Sequence, residues 1–220
     1  MDYLKNQKKV FTEIENAKLS KLVVLVAGCG GLGTNQAVIL QRIGVKKIYL
    51  VDFDKIEVSN LNRQILYSYK DIGKLKAIIS KEKLDKNMLK TEIIASIEKI
   101  NKDYIIPDDV DIVFDALDNY KARVDLEEIT LKQDIPLIHG GINSMYGQVC
   151  VITKNSRNRI KNLLNKNDKN EISSFLPTVS VVASLQINEG IKVYLNKEDI
   201  LLNKILFVDL DNYEFTLVDI

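Results

Sequence analysis

Four charged side chains stand where they could act together on a phosphate. Asp52 closes the run KIYLVD, Arg63 falls in NLNRQ, Lys76 in GKLK, and Asp118 in DALDN. A reaction at phosphorus gathers negative charge on the phosphoryl oxygens, so fixed cations such as Arg63 and Lys76 stabilise its transition state. A carboxylate at the carboxyl end of a strand can hold Mg²⁺ on those oxygens, which is the role open to Asp118. Three of the four also have a plainer reading. Arg63 and Lys76 could be solvated surface groups, and Asp118 could simply cap a helix.

A glycine loop must position them. Gly28, Gly30 and Gly33 fit G-x-G-x-x-G, with Gly31 between them, after the apolar run LVVLVA (22–27) and before the helical pattern NQAVILQRIG (35–44). A strand feeding a helix through small residues brings backbone N–H groups and the helix dipole to a phosphate. Asp52 lies about 20 residues further on, where a carboxylate takes ribose hydroxyls. The loop alone leaves NAD, FAD and ATP open. A dinucleotide site holds its pyrophosphate on the loop, so a plain NAD oxidoreductase leaves Asn60, Arg63 and Gln64 without work.

Strands are expected at 22–27, 47–51, 91–97, 111–117 and 135–139, the last leading to a Gly140-Gly141 turn. Helices are expected at 8–18, at 35–44 with Gly44 as its stop, at 71–84 opened by Asp71, and at 120–133 capped by Asp118 and Asn119. A strand at 146–153 then follows with no crossover helix. A polar segment at about 154–174 reads as a mobile loop, 178–195 as a long helix, and 204–210 with 212–220 as a hairpin around Asp211-Asn212. The pattern predicts one α/β domain over 1–220 with a helical extension at 1–20. It is Rossmann-like: a mostly parallel sheet, helices on both faces, and a C-terminal antiparallel strand extension.

The chain has 220 residues, 46% of them hydrophobic, and a net charge of +1. That balance gives no electrostatic basis for bulk nucleic-acid or membrane binding. Without an apolar run long enough to span a bilayer or an apolar signal core, a cytoplasmic protein is expected. There are two cysteines, Cys29 and Cys150, and one histidine, His139. The cysteines suit a reducing compartment, and His139 reads as a satisfied residue at a strand end.

VLVAGCGGLG, LVDFDKIEVSNLNRQ, DIGKLKA and DALDN, in that order, resemble the ThiF/MoeB/HesA family, bacterial relatives of ubiquitin-activating enzymes. The resemblance covers about 8–220. It implies an adenylyltransferase that uses ATP and Mg²⁺ on the C-terminal glycine carboxylate of a ubiquitin-like sulfur-carrier protein ending in Gly-Gly. Thiamine and molybdopterin-type sulfur transfer are both open. It further implies a homodimer. The nucleotide set carried over is Gly28, Gly30, Gly31, Gly33, Asp52, Asp54, Asn60, Arg63, Gln64, Lys76, Asp118 and Asn119, with Asp118 on Mg²⁺ and with Arg63, Lys76 and Asp118 acting in catalysis. The alternatives are a tRNA threonylcarbamoyl-adenosine dehydratase of the same superfamily and a non-catalytic partner subunit that keeps the fold.

The chain departs from the family pattern in three places. The C-x-x-C pairs of zinc-binding members are missing, so no zinc is expected. Residues 154–178 hold no cysteine, so activity should stop at the acyl adenylate and need a separate persulfide donor. Dimeric relatives often send an N-terminal arginine into the partner's site; here the first arginine is Arg42, and Lys5, Lys8 or Lys9 could stand in as point charges.

Overall fold

Alternation along one strand sets the layering. The strand β1 (Val23–Ala27) is buried at every position. Val24 and Val26 belong to one apolar cluster, and Val23, Leu25 and Ala27 to another. Because successive side chains point to opposite faces, the sheet must be covered on both. The computed structural model, which describes residues 3–164 and 173–220, shows this cover.

The other strands are β2 (Lys47–Val51), β3 (Glu92–Ser96), β4 (Ile112–Asp115), β5 (Leu137–Asn143), β6 (Tyr146–Ile152), β7 (Lys204–Asp209) and β8 (Glu214–Asp219). They form one sheet in the order β3-β2-β1-β4-β5-β6-β7-β8. Pairings from β3 to β5 are parallel, and those from β5 to β8 antiparallel. The helices are α1 (Glu13–Leu19), α2 (Gly31–Ile43), α3 (Lys76–Asp85), α4 (Tyr120–Gln133), α5 (Ile160–Leu163) and α6 (Leu176–Tyr194). The α2, α3 and α6 side chains pack with Val24 and Val26, while α4 and Ile160 of α5 pack with Leu25 on the other face. The chain leaves β1 toward β2 and β3, then returns to β4 on its other side. That reversal opens a crevice at the carboxyl ends of β1 and β4. Among the described residues, no helix is long and apolar enough to cross a membrane.

The mostly parallel sheet, the two-sided helical cover and the C-terminal antiparallel strands match the sequence reading. Several local expectations are corrected. The first helix begins at Glu13, where Thr12 and Glu15 close a capping box. The helix after the glycines starts inside them, at Gly31, and ends as expected at Gly44 with φ 84°. Asp71 does not open α3; it ends a short 3₁₀ turn (Tyr69–Asp71) whose Ser68 N–H and hydroxyl it accepts, and Leu75 precedes the helix. Gly140 and Gly141 are not a turn. They lie within β5, where a Cβ on Gly140 would sit 2.3 Å from Gln186 of α6. The turn comes later, at Ser144 with φ 56°.

Residues 154–164 carry α5 and dock on the body. Ile160 is fully buried, and its N–H donates to the Glu127 carboxylate at 3.0 Å. Residues 165–172 of the expected loop lie outside the described residues.

Asp71 joins the irregular 52–75 stretch to α3, because Lys83 reaches its carboxylate at 2.9 Å. Burial opposes ionisation, but Ser68 and Lys83 outweigh it and hold the carboxyl well below the usual range. Its stabilising contribution is therefore complete above the ordinary aspartate pKa and fades as pH falls below it. Asp71→Asn should cost about 2 kcal/mol at neutral pH. Denaturant unfolding should show that gap closing in acid. A pH-independent gap would contradict the assignment.

Candidate active site

The crevice is a cavity of about 640 Å³ at the β1–β4 switch point, with Gly30, Asp52, Arg63, Lys76 and Asp118 all on its wall. The residues that bring them there are mostly not charged. Gly28 turns the chain out of β1 with φ 103°, and a Cβ there would lie 2.7 Å from the Ala116 carbonyl. Gly33 lets α2 close on that turn, since its Cβ would fall 1.9 Å from the Gly28 oxygen. Gly30 differs: a Cβ would meet only the Gln64 amide, at 3.9 Å, and otherwise open cavity. The N–H groups of Gly30 and Gly31 find no acceptor among the described residues. This space and these free donors at a helix start suit a phosphate.

Asp52 is buried at the end of β2. One carboxylate oxygen accepts the Cys29 N–H at 2.6 Å, and the other the Asp54 N–H at 2.7 Å. Each oxygen keeps a second lone pair for a ligand hydroxyl. Burial is the main influence on its carboxyl and pushes the pKa above the ordinary aspartate value.

Arg63 and Lys76 carry the positive charge. The Arg63 Nη1 donates to the Ser59 carbonyl and the Asn62 side chain, both at 2.9 Å. Its Nε and Nη2 have no partner among the described residues. Lys76 begins α3, is buried, and pairs with Asp54 at 3.1 Å. Gln64 is buried on the wall with Oε1 unpartnered, an acceptor aimed at no protein donor among the described residues. Asn60 is not on the wall. Its Oδ1 accepts the Glu57 N–H at 3.0 Å, so it shapes the turn that presents Arg63. Gly33 also stays off the wall and acts through packing.

The structure separates the two roles open to Asp118. The α4 cap is Asn119, whose Oδ1 accepts the Ala122 N–H at 2.9 Å. Asp118 is left exposed, and among the described residues only the Asn119 amide hydrogen-bonds it, at 3.4 Å. One free carboxylate fits a Mg²⁺ ion, which is usually held by one or two carboxylates together with substrate phosphates and water.

Sequence reading missed the support beneath this loop. Asp115, fully buried, accepts the Leu117 N–H at 3.0 Å and the His139 ring at 2.7 Å. Arg123 sits on the cavity wall, 3.6 Å from Asp115, and donates to the carbonyls of Leu117 and Gly140. Burial opposes the Asp115 charge, but Arg123 and His139 hold its carboxyl below the usual range. Burial also lowers the His139 pKa, so the ring is neutral, with its proton on Nδ1 toward Asp115 and Nε2 accepting from Gln148 at 3.1 Å. His139 is thus satisfied, as expected. Phe53, Glu98, Lys99 and Ile100 also reach the wall, with the Lys99 ammonium 5.4 Å from the Phe53 ring centre. Their only sequence signal is position, just past the ends of β2 and β3.

The glycines should respond differently to alanine. Gly28→Ala should cost at least about 2 kcal/mol, because both φ and the Ala116 carbonyl forbid the methyl group. Gly30→Ala should unfold like the parent. Equal thermal stability of both variants would contradict these packing roles.

Comparison with known proteins agrees with the geometry. The ThiF family model matches residues 4–220. A molybdopterin-synthase adenylyltransferase from Haemophilus influenzae is 32% identical over 204 residues, covering 89% of this chain and 83% of that protein. SUMO-activating enzyme subunit 2 from Dictyostelium discoideum is 36% identical over 140 residues, covering 62% of this chain and 21% of that protein. The chain thus spans only part of several curated relatives, 52% of the probable Porphyra purpurea molybdopterin-synthase adenylyltransferase among them. Among solved structures, Escherichia coli MccB with ATP superposes with a TM-score of 0.78 at 25% identity, covering 94% of this chain and 66% of that one. On this match over almost its whole length, the chain belongs to the ThiF family.

Proposed function

We propose that this chain is an ATP-dependent adenylyltransferase that activates the C-terminal glycine carboxylate of a ubiquitin-like sulfur-carrier protein, releasing pyrophosphate. The observation that carries the reading is Arg63 and Lys76 on the wall of the cavity that the free glycine-loop N–H groups also line. The adenylyltransferases among its relatives support the same class of reaction.

In this reading Asp52 takes the ribose hydroxyls and the Gly30–Gly31 amides take phosphate oxygens. The carrier carboxylate, already ionised, attacks the α-phosphorus, and the bond to pyrophosphate breaks. No general base is required. Arg63 offers Nε and Nη2 to the developing charge, and Lys76 exchanges Asp54 for phosphate. Mg²⁺, when bound, neutralises phosphate charge and orients the leaving group; Asp118 would hold it. The two cysteines are both buried. Burial pushes the Cys29 thiol up, and Cys150 up to about 12. Neither is an available nucleophile, so sulfur transfer requires a separate persulfide donor. A homodimer is the expected assembly.

ATP–pyrophosphate exchange, run with and without carriers ending in Gly-Gly, tests the reading. Exchange should depend on the carrier. Arg63→Ala and Asp118→Ala should each lose at least about tenfold, near 1.4 kcal/mol. Normal ATP binding without exchange on any carrier would remove the proposed activity, and parental rates in both variants would remove those roles.

Binding should also report Asp52. Ribose hydroxyls donate to the carboxylate, not to the acid. ATP affinity should hold above the raised Asp52 pKa and fall as pH drops through it. Asp52→Asn should bind more weakly at neutral pH and lack that step. An identical step in the variant would assign the titration elsewhere.

A further inference from the structure

Cys29 has no reactive role, yet it is the odd residue among the glycines, and its surroundings give it another. Both backbone groups on Cys29 are taken. Its N–H goes to Asp52, and its carbonyl accepts the Tyr67 hydroxyl at 2.8 Å. Tyr67 is buried behind the glycine loop and is not on the cavity wall. Its oxygen also lies 2.9 Å from the Ser80 hydroxyl on α3 and 3.3 Å from the Lys76 carbonyl.

Donor and acceptor roles set the direction of these bonds. A carbonyl can only accept, so Tyr67 donates to Cys29. The Ser80 hydroxyl then donates to the Tyr67 oxygen. The Tyr67 hydroxyl thus donates to the loop and accepts from α3. Burial keeps the Tyr67 phenol protonated, so the donor is always present.

The bond from Tyr67 to the Cys29 carbonyl has a consequence on its far side. The Cys29–Gly30 peptide is trans, as no cis bond occurs among the described residues. In a trans peptide the carbonyl and the following N–H point in opposite directions. Fixing the Cys29 carbonyl on Tyr67 therefore turns the Gly30 N–H away from the protein, onto the cavity side where Gly30 lies. We infer that Tyr67 is a positioning residue: its hydroxyl holds the Cys29–Gly30 peptide so that the Gly30 N–H faces the ligand's phosphate. This rests on the proposal that the cavity takes a nucleotide with phosphates. The same hydroxyl ties the loop to the first turn of α3, so the amide and Lys76 are set against one anchor.

Tyr67→Phe removes only the oxygen. Calorimetric titration of parent and variant with ATP, and with adenosine, separates phosphate contacts from base and ribose contacts. The parent should prefer ATP. The variant should bind ATP about tenfold more weakly, with adenosine unchanged. A purely structural defect would weaken both ligands alike, and that result, or no weakening, would overturn the inference. A parent with no preference for ATP would instead overturn the nucleotide reading, and the inference with it. If Tyr67→Phe does not fold, Ser80→Ala carries the same comparison. It removes the donor onto Tyr67 and should also weaken ATP selectively, while an unchanged ATP affinity there would overturn the inference.

Discussion

The Asp52 carboxylate holds together parts of the chain that the sheet alone would leave independent. β1 and β2 are parallel neighbours, so their carboxyl ends emerge side by side, but nothing in strand pairing orders the loops that follow. One Asp52 oxygen accepts from the loop after β1, through Cys29, and the other from the loop after β2, through Asp54. Asp54 then reaches Lys76 through its side chain and, through its carbonyl, accepts the Lys76 N–H at 2.9 Å. A single buried acid thus fixes the glycine loop, the 52–75 stretch and the start of α3 relative to one another. The cost of burying the charge is offset by two short backbone donors.

Around this anchor the protein satisfies its charges internally, though incompletely. Lys76 has Asp54, and Arg63 has a carbonyl and an amide oxygen, yet among the described residues Gln64 keeps an unpartnered acceptor and two glycine amides find no acceptor. Removing one partner of a buried pair is costly, so a fully satisfied site would resist any ligand. In the proposed reading an incoming phosphate would replace one carboxylate on Lys76 and add bonds to the loop amides. The internal pairs keep the cations placed before the ligand arrives, which limits the reorganisation that binding requires.

Much of this was legible in the sequence, for identifiable reasons. The β1 run, the glycine spacing and Gly44 as a stop follow from local periodicity and φ preference. NLNRQ and GKLK are unusual combinations, and the structure brings Arg63 and Lys76 from them to the same cavity wall as Asp52 and Asp118. The failures share a cause. Gly140 reads as a turn unless one knows that Gln186, far along the chain, lies against it. Asp71 reads as a helix cap because its true partners, Ser68 and Lys83, flank a 3₁₀ turn with no sequence period of its own. Tyr67 and Arg123 carry no motif, since their work is done through backbone carbonyls, which every residue possesses.

Asp115 and Asp118 show where composition stops and geometry takes over. They stand three residues apart in DALDN with the same side chain. Asp115 belongs to β4, so strand alternation drives it into the interior, where it survives only because Arg123, His139 and the Leu117 N–H surround it. Asp118 comes after the strand has ended and before α4 begins, in the few residues that neither element orders. Asn119 takes the capping position that would otherwise occupy an acid there. The buried acid therefore spends its charge holding the loop in place, and the exposed one keeps its charge free for the cavity. Exchanging their surroundings, not their chemistry, would exchange their roles.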